Sequence, residues 1–197
     1  MSTGIPQNVI RLFGMSSLQL KSSIEAIEKD FQIKLSPAKS DEQNEIEQKY
    51  YAQFDMDIRK KARVMSAQYE VFYCLENSIR TIVREVMSRK FGIEWWEKGV
   101  EDKIKIDVAL RIQRDQDSSF TLRSGDNLDF ANFGELSNII EKQWDCFDDL
   151  FTSKVAMKKV MSALNTLRGP IAHCGELAED ETIRLSLTIR DWFRLME

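Results

Sequence analysis

Apolar residues recur at helical spacing along most of this chain. In SSLQLKSSIEAIEKDFQIKL, residues 16–35, Leu20, Ile24, Ile27 and Phe31 follow at intervals of four, three and four, which places them on one face of an α-helix. Ser36-Pro37 ends the pattern, because the residue before a proline is driven out of the helical region. The polar stretch SPAKSDEQ follows as a linker, and Ser40 with Gln43 matches a capping box. From residue 41 to residue 91 no Pro or Gly intervenes, and Ile46, Tyr50, Phe54, Ile58, Met65, Tyr69, Phe72, Leu75, Ile79, Ile82 and Val86 form a stripe. That length exceeds an ordinary helix, so a break is expected near residues 60–66. Gly92 and Gly99 punctuate the chain around Trp95 and Trp96, which are expected to plug the bundle end, and a helix resumes near Glu101 with Ile104, Val108, Leu110 and Ile112 inward. SSFTLRSGDNLDFANFGEL interrupts the pattern; Phe120 to Arg123 is expected to pair briefly as a strand and Asn127 to Gly134 to form a loop. Three further helices are predicted over 136–147 (Leu136, Ile139, Ile140, Trp144), 152–172 (Val155, Val160, Leu164, Leu167, Ile171) and 180–196 (Leu185, Ile189, Trp192). The fold class is therefore all-α, with residues 1–62 as an N-terminal helical arm and 63–197 as a helical bundle.

Composition narrows the function classes. The 197 residues are 43% hydrophobic and 30% charged with 8 Gly and 3 Pro, a balance that suits a compact helical domain. No window approaches a membrane span or a signal peptide, so a cytoplasmic protein without membrane association is expected. Cys74, Cys146 and Cys174 are odd in number and widely spaced, which gives neither a disulfide framework nor a metal knuckle; buried, reduced thiols are expected. With one histidine and no paired-ligand spacing, no metal site and no cofactor is expected. The net charge of −4 argues against a surface coated for nucleic acid, yet charge is uneven along the long helix. Residues 41–57 hold six acids against one lysine, whereas 58–91 hold eight cations, Arg80 and Arg84 among them, against three acids. Two solvated faces with local ion pairs would explain this; so would an acidic arm beside a basic surface that receives phosphates.

The chemistry concentrates in LNTLRGPIAHCGELAEDE, residues 164–181, which carries the sole histidine, His173, five residues after Arg168. Gly169-Pro170 lies between them and must kink or restart the helix, since proline lacks the N–H and crowds the preceding turn. On a straight helix the two side chains would stand roughly 140° apart; a kink brings them onto one surface. Cys174-Gly175 reads as the helix end with Gly175 at C′, which puts His173 at an exposed corner before an acidic helix start. The bland alternative is an imidazole bonded to a backbone carbonyl, with Arg168 paired to Glu176, Glu179 or Glu181.

L-x-x-L-R-x-x-I-A-H, followed by a polar loop and an acidic helix start, resembles the HEPN superfamily, whose motif is Arg, four to six residues, then His, in the penultimate segment of a helical bundle. YEVFYCLENSIRTIVREVM resembles the family's first core helix, and the FGEL…II…W…F stretch resembles a branch shared by a eukaryotic messenger-RNA surveillance endoribonuclease and prokaryotic defence proteins. The resemblance covers about residues 66–195. It implies a bundle of four to five core helices with an N-terminal helical extension, and a metal-independent endoribonuclease, or a relative that has lost activity, that dimerises so that two motifs share a cleft. RNA, as tRNA or messenger RNA, is the implied substrate; an antitoxin or regulatory protein is a further implied partner. The chemistry is coherent on its own terms. Cleaving RNA through its 2′-OH needs a base that exchanges protons around neutral pH and a cation against the phosphorane charge, which imidazole and guanidinium supply. Arg168 and His173 are thus the candidate catalytic pair, with Asn165, Arg80 and Arg84 as candidate substrate contacts. Active relatives usually carry Asn or Asp directly after the Arg, where this chain has Gly169; Asn165, one turn before Arg168, is the candidate substitute.

Overall fold

A computed structural model describes residues 50–197. The chain divides into two compact units, Met1–Arg59 and Lys60–Glu197. The helix expected over 16–35, the linker with its Ser40–Gln43 capping box, and residues 41–49 of the long helix lie outside the described residues.

Every regular element among the described residues is helical. A 3₁₀ turn, Tyr51–Gln53, precedes extended backbone at Phe54. Helix α1 then runs unbroken over Met56–Phe91. Its start is chemical: the Asp55 carboxylate accepts from the N–H of Asp57 at 2.8 Å and of Ile58 at 3.3 Å, the N-cap interaction that satisfies otherwise orphaned donors. The break expected near 60–66 is absent, and the interruption falls instead at Phe54–Asp55. Residues 60–66 contain no helix breaker, and length alone does not end a helix. Gly92, at φ +71°, takes the left-handed conformation that closes α1.

The short helix α2, Trp95–Gly99, carries Trp95 and Trp96, both buried and set edge to face with centroids 5.5 Å apart. Helix α3, Asp102–Asp117, buries Ile104 and Val108, whereas Leu110 is exposed and Ile112 half-buried, which corrects Leu110 as an inward residue. Phe120 to Arg123 form no strand; these residues are exposed, and the Arg123 N–H bonds the Asp115 carboxylate at 3.1 Å in place of a neighbouring strand. The segment 127–134, expected as a loop, is largely helical. Asn127–Phe130 is a 3₁₀ turn capped by Asp126, and α4, Phe133–Lys142, opens with a capping box between Asn132 and Glu135. Helices α5, Lys154–Ala172, and α6, Glu179–Arg194, complete the order.

Burial follows the 3.6-residue period, which is why the sequence pattern works. Phe72, Leu75, Ile79, Ile82, Val83 and Met87 of α1 enter one core with Leu136, Ile139 and Ile140 of α4, Met157, Met161, Leu164 and Leu167 of α5, and Leu185 and Trp192 of α6. Helix α5 packs between α4 and α6, and the 3₁₀ turn at 127–130 packs on α3. Phe72 meets Phe133 at 5.3 Å, and Phe151 meets Trp192 at 5.2 Å. Tyr69, Ile58 and Val155, all expected inward, are exposed. Among the described residues one charged side chain is buried: Glu135 accepts a two-point bond from Arg111, at 2.7 and 2.8 Å, while its Oε2 also takes the Asn132 N–H. No helix among the described residues is long and apolar enough to cross a membrane.

Candidate functional site

The α1 residues Tyr69, Phe72, Tyr73, Glu76, Asn77 and Arg80 recur at intervals of three and four, so they share one face of that helix. This face forms one wall of a cleft of about 400 Å³; Arg168, Ile171 and Ala172 at the end of α5 and Arg123, Ser124 and Asp129 of the 115–130 region supply the rest.

Glu76 organises the cleft. Its Oε1 accepts from Arg80 Nη2, and its Oε2 accepts from Arg168 Nε at 3.0 Å. One carboxylate thus bridges two guanidinium groups contributed by helices far apart in sequence. Glu76 and Arg80 are nearly enclosed, with 14% and 11% of their side chains exposed, while Arg168 at 34% faces the opening. Among the described residues, Nη1 and Nη2 of Arg168 have no partner, so the cation is anchored at one nitrogen and presents two donor nitrogens. The acid that pairs with Arg168 is therefore none of Glu176, Glu179 or Glu181. Glu76 went unrecognised because it stands 92 residues away from Arg168 in the chain.

Arg80 and Arg84, expected as phosphate contacts, are engaged elsewhere. Arg80 Nη1 donates to the Leu128 carbonyl, so both of its terminal nitrogens are occupied. Arg84 bonds Asp126 at 2.7 Å through Nε and Asp129 at 3.1 Å through Nη2. Ser124 donates to the other Asp129 oxygen at 2.6 Å. The net positive charge of this stretch of α1 is thus partly met by carboxylates from the loop before α4. Asn165 is exposed, and its amide lies beside Gly134 at the start of α4, away from the cleft lining.

Helix α5 carries Gly169 and Pro170 within its last turn and continues to Ala172 without restarting. It ends in a Schellman arrangement: the Gly175 N–H donates to the Pro170 carbonyl at 2.8 Å, and Cys174 takes φ +56°. The C′ residue is thus Cys174, with Gly175 one place further on. A Cβ on Gly175 would stand 3.3–3.4 Å from Pro170 atoms, so this position needs glycine for close approach instead. His173 is the C-cap, with backbone φ −111° and ψ 23°; its N–H donates to the carbonyls of Gly169 and Pro170. The imidazole is exposed and has no hydrogen-bond partner among the described residues. The cleft lining stops at Ala172, one residue short of it. Gly169 has open space around it, with nothing within 4 Å of a built Cβ. Lys61 pairs with Glu176 at 2.6 Å beside this corner.

All three cysteines are free, and Cys74 and Cys174 are exposed, which corrects the expectation of buried thiols. Cys74 lies on α1 outside its apolar stripe, and Cys174 lies beyond the end of α5 in the left-handed turn. Cys146 is half-buried, and burial pushes its thiol up. Among the described residues no group of three or more His, Cys, Asp or Glu side chains is placed to hold a metal ion.

Searches among curated proteins and among solved structures returned no match. One family does match: Swt1-like HEPN, over residues 70–197, the segment that contains α1 from Glu70 onward, the bridged carboxylate, Arg168 and His173. This is the branch of the eukaryotic messenger-RNA surveillance endoribonuclease. The chain is a member of the HEPN superfamily, in its Swt1-like family.

Proposed function

We propose that this chain is a metal-independent endoribonuclease of HEPN type that acts as a homodimer on tRNA or messenger RNA in the cytoplasm, as a toxin or antiviral defence effector restrained by a partner protein. The observation that carries the reading is the state of Arg168: one nitrogen is tied down by Glu76, the other two are open to a cleft, and the chain's sole imidazole is exposed five residues further on. A guanidinium held in place before substrate arrives stabilises charge on a phosphate with little reorganisation, and its paired donors match two phosphate oxygens. His173 accepts the 2′-OH proton as that oxygen bonds to phosphorus. The bond from phosphorus to the 5′ oxygen then breaks, and this oxygen takes a proton from the second copy's imidazole or from water, leaving a 2′,3′-cyclic phosphate. Incubating the purified protein with total tRNA in EDTA and reading the new 3′ ends tests the scheme. Cyclic phosphate ends support it; 3′-hydroxyl ends, or a need for divalent metal, exclude it.

A second reading is a catalytically inactive HEPN-like module for dimerisation and for binding RNA or a protein partner. Two observations favour it: the imidazole lies outside the cleft lining, and Gly169 contributes no polar side chain where active relatives have one. It predicts RNA or partner binding with intact RNA after prolonged incubation.

A further inference from the structure

Two tyrosines in the cleft have no structural work assigned to them. Tyr69 and Tyr73 each leave 58% of their surface exposed, and neither hydroxyl has a hydrogen-bond partner among the described residues. Their rings lie 6.1 Å apart with planes inclined by 34°, side by side on one face of α1. Phe72, between them in sequence, is buried against Phe133, so the helix turns one aromatic inward and holds two at the mouth. Exposing that much ring surface forgoes apolar burial, and folding alone gives no reason for it. The cleft they line holds three cations, Arg80, Arg123 and Arg168, against two carboxylates, Glu76 and Asp129. Both carboxylates are already bonded, Glu76 by Arg80 and Arg168 and Asp129 by Arg84 and Ser124. Arg123 bonds Asp115 at 3.3 Å through Nη2 and lies over the Phe130 ring, but more than half of its side chain is exposed, and it and Arg168 keep donors toward solvent.

We infer that Tyr69 and Tyr73 form a stacking platform for bases of unpaired RNA whose phosphates are held by Arg168 and Arg123. This rests on reading the cleft as an RNA site and adds the form of the substrate. Aromatic side chains stack on any base whose face is free, and in a duplex those faces are covered by neighbouring base pairs. Two exposed rings on one helix face, Tyr69 and Tyr73, beside cations from a second helix and a loop, fit a single strand. Unpaired loops and single-stranded segments are the targets this selects; a continuous duplex is rejected.

The test uses the full chain and a short 2′-O-methyl oligonucleotide, which cannot be cut through its own 2′-OH, at one fixed salt concentration. Fluorescence anisotropy gives its affinity as a single strand and as a duplex. A 5-iodouridine version is photocrosslinked, and the attached residues are mapped by mass spectrometry. We expect single-strand binding well above duplex binding and crosslinks at Tyr69 or Tyr73. Each Tyr→Leu change should weaken affinity by about five- to hundredfold, while Tyr→Phe keeps it. Both tyrosines are exposed, so helicity should be unchanged, and circular dichroism checks this. Equal affinity of the Leu variants, equal binding of the duplex, or Leu variants that change only self-association would overturn the platform. The ribonuclease reading is judged separately by cleavage of natural RNA. A wild type that cuts RNA while its Leu variants bind and cut normally refutes the platform alone; one that binds and crosslinks without cutting refutes the nuclease alone.

Discussion

Replacing Glu76 by glutamine tests whether one carboxylate holds the two guanidinium groups of the cleft. In the native protein Arg80 and Glu76 are almost fully enclosed, and Arg168 bonds the second carboxylate oxygen from a more open position. Removing one member of an enclosed pair leaves the other charge without compensation, which costs about 3–5 kcal/mol when solvent is fully excluded. Glutamine keeps the shape and one acceptor oxygen, so the loss should be nearer that of one charge-assisted hydrogen bond, about 2–3 kcal/mol. The Arg168 contact adds little, because a third of that side chain faces solvent, which screens it. For a domain of this size the expected fall in Tm is about 6–9 °C. Glu76→Leu alone should be worse, and adding Arg80→Met should recover much of the loss. The Leu128 carbonyl would not be orphaned in the double variant, since the Ala131 N–H also donates to it. Urea denaturation followed by circular dichroism gives the four free energies of the cycle, with an expected coupling of about 2 kcal/mol. Additive single effects, or a Glu76→Gln protein within about 0.5 kcal/mol of wild type, would refute the bridge as an organising element.

Three further outcomes are expected. Cys74 and Cys174 should be alkylated rapidly at pH 8 and Cys146 slowly, because burial raises its thiol, as read by mass spectrometry of labelled peptides. Cys174→Gly should stabilise by about 0.5–1 kcal/mol by relieving a side chain at φ +56°, whereas Gly175→Ala should destabilise; thermal melts separate the two. The hydrogen bond from Lys158 holds Glu141 below the usual carboxylate range, and Lys105 does the same for Asp102. A depressed carboxylate contributes stability that is present above its unfolded pKa and lost as pH falls through the folded one, so stability should decline as pH drops below about 4, and Lys158→Met should shrink that decline in a pH series of urea melts.

The helix order was legible because apolar residues on α4, α5 and α6 keep a strict 3.6-residue period against a single core. Periodicity gives the direction of a face but not its width, so Tyr69, Leu110 and Val155, at the margins of their stripes, were assigned inward and are exposed. Boundaries set by one side chain were harder: Asp55 starts α1 through two hydrogen bonds that no pattern of hydrophobicity encodes. Glycine's tolerance of positive φ placed C′ at Gly175, whereas contact with Pro170 claims that glycine and leaves Cys174 in the left-handed conformation. At the site, Arg168 and His173 stood out as residue types near one another in sequence. Glu76 did not, since its importance arises only when α1 packs beside α5, and Asp126 and Asp129 read as turn residues until the fold set them against Arg84.

The central claim is that Arg168 and His173 together cleave RNA without metal, and single-turnover cleavage of tRNA in EDTA tests it most directly. Wild type should cut, and Arg168→Ala and His173→Ala should each lose about a hundredfold or more in rate while keeping helicity and Tm close to wild type. Cleavage by His173→Ala at the wild-type rate would contradict it.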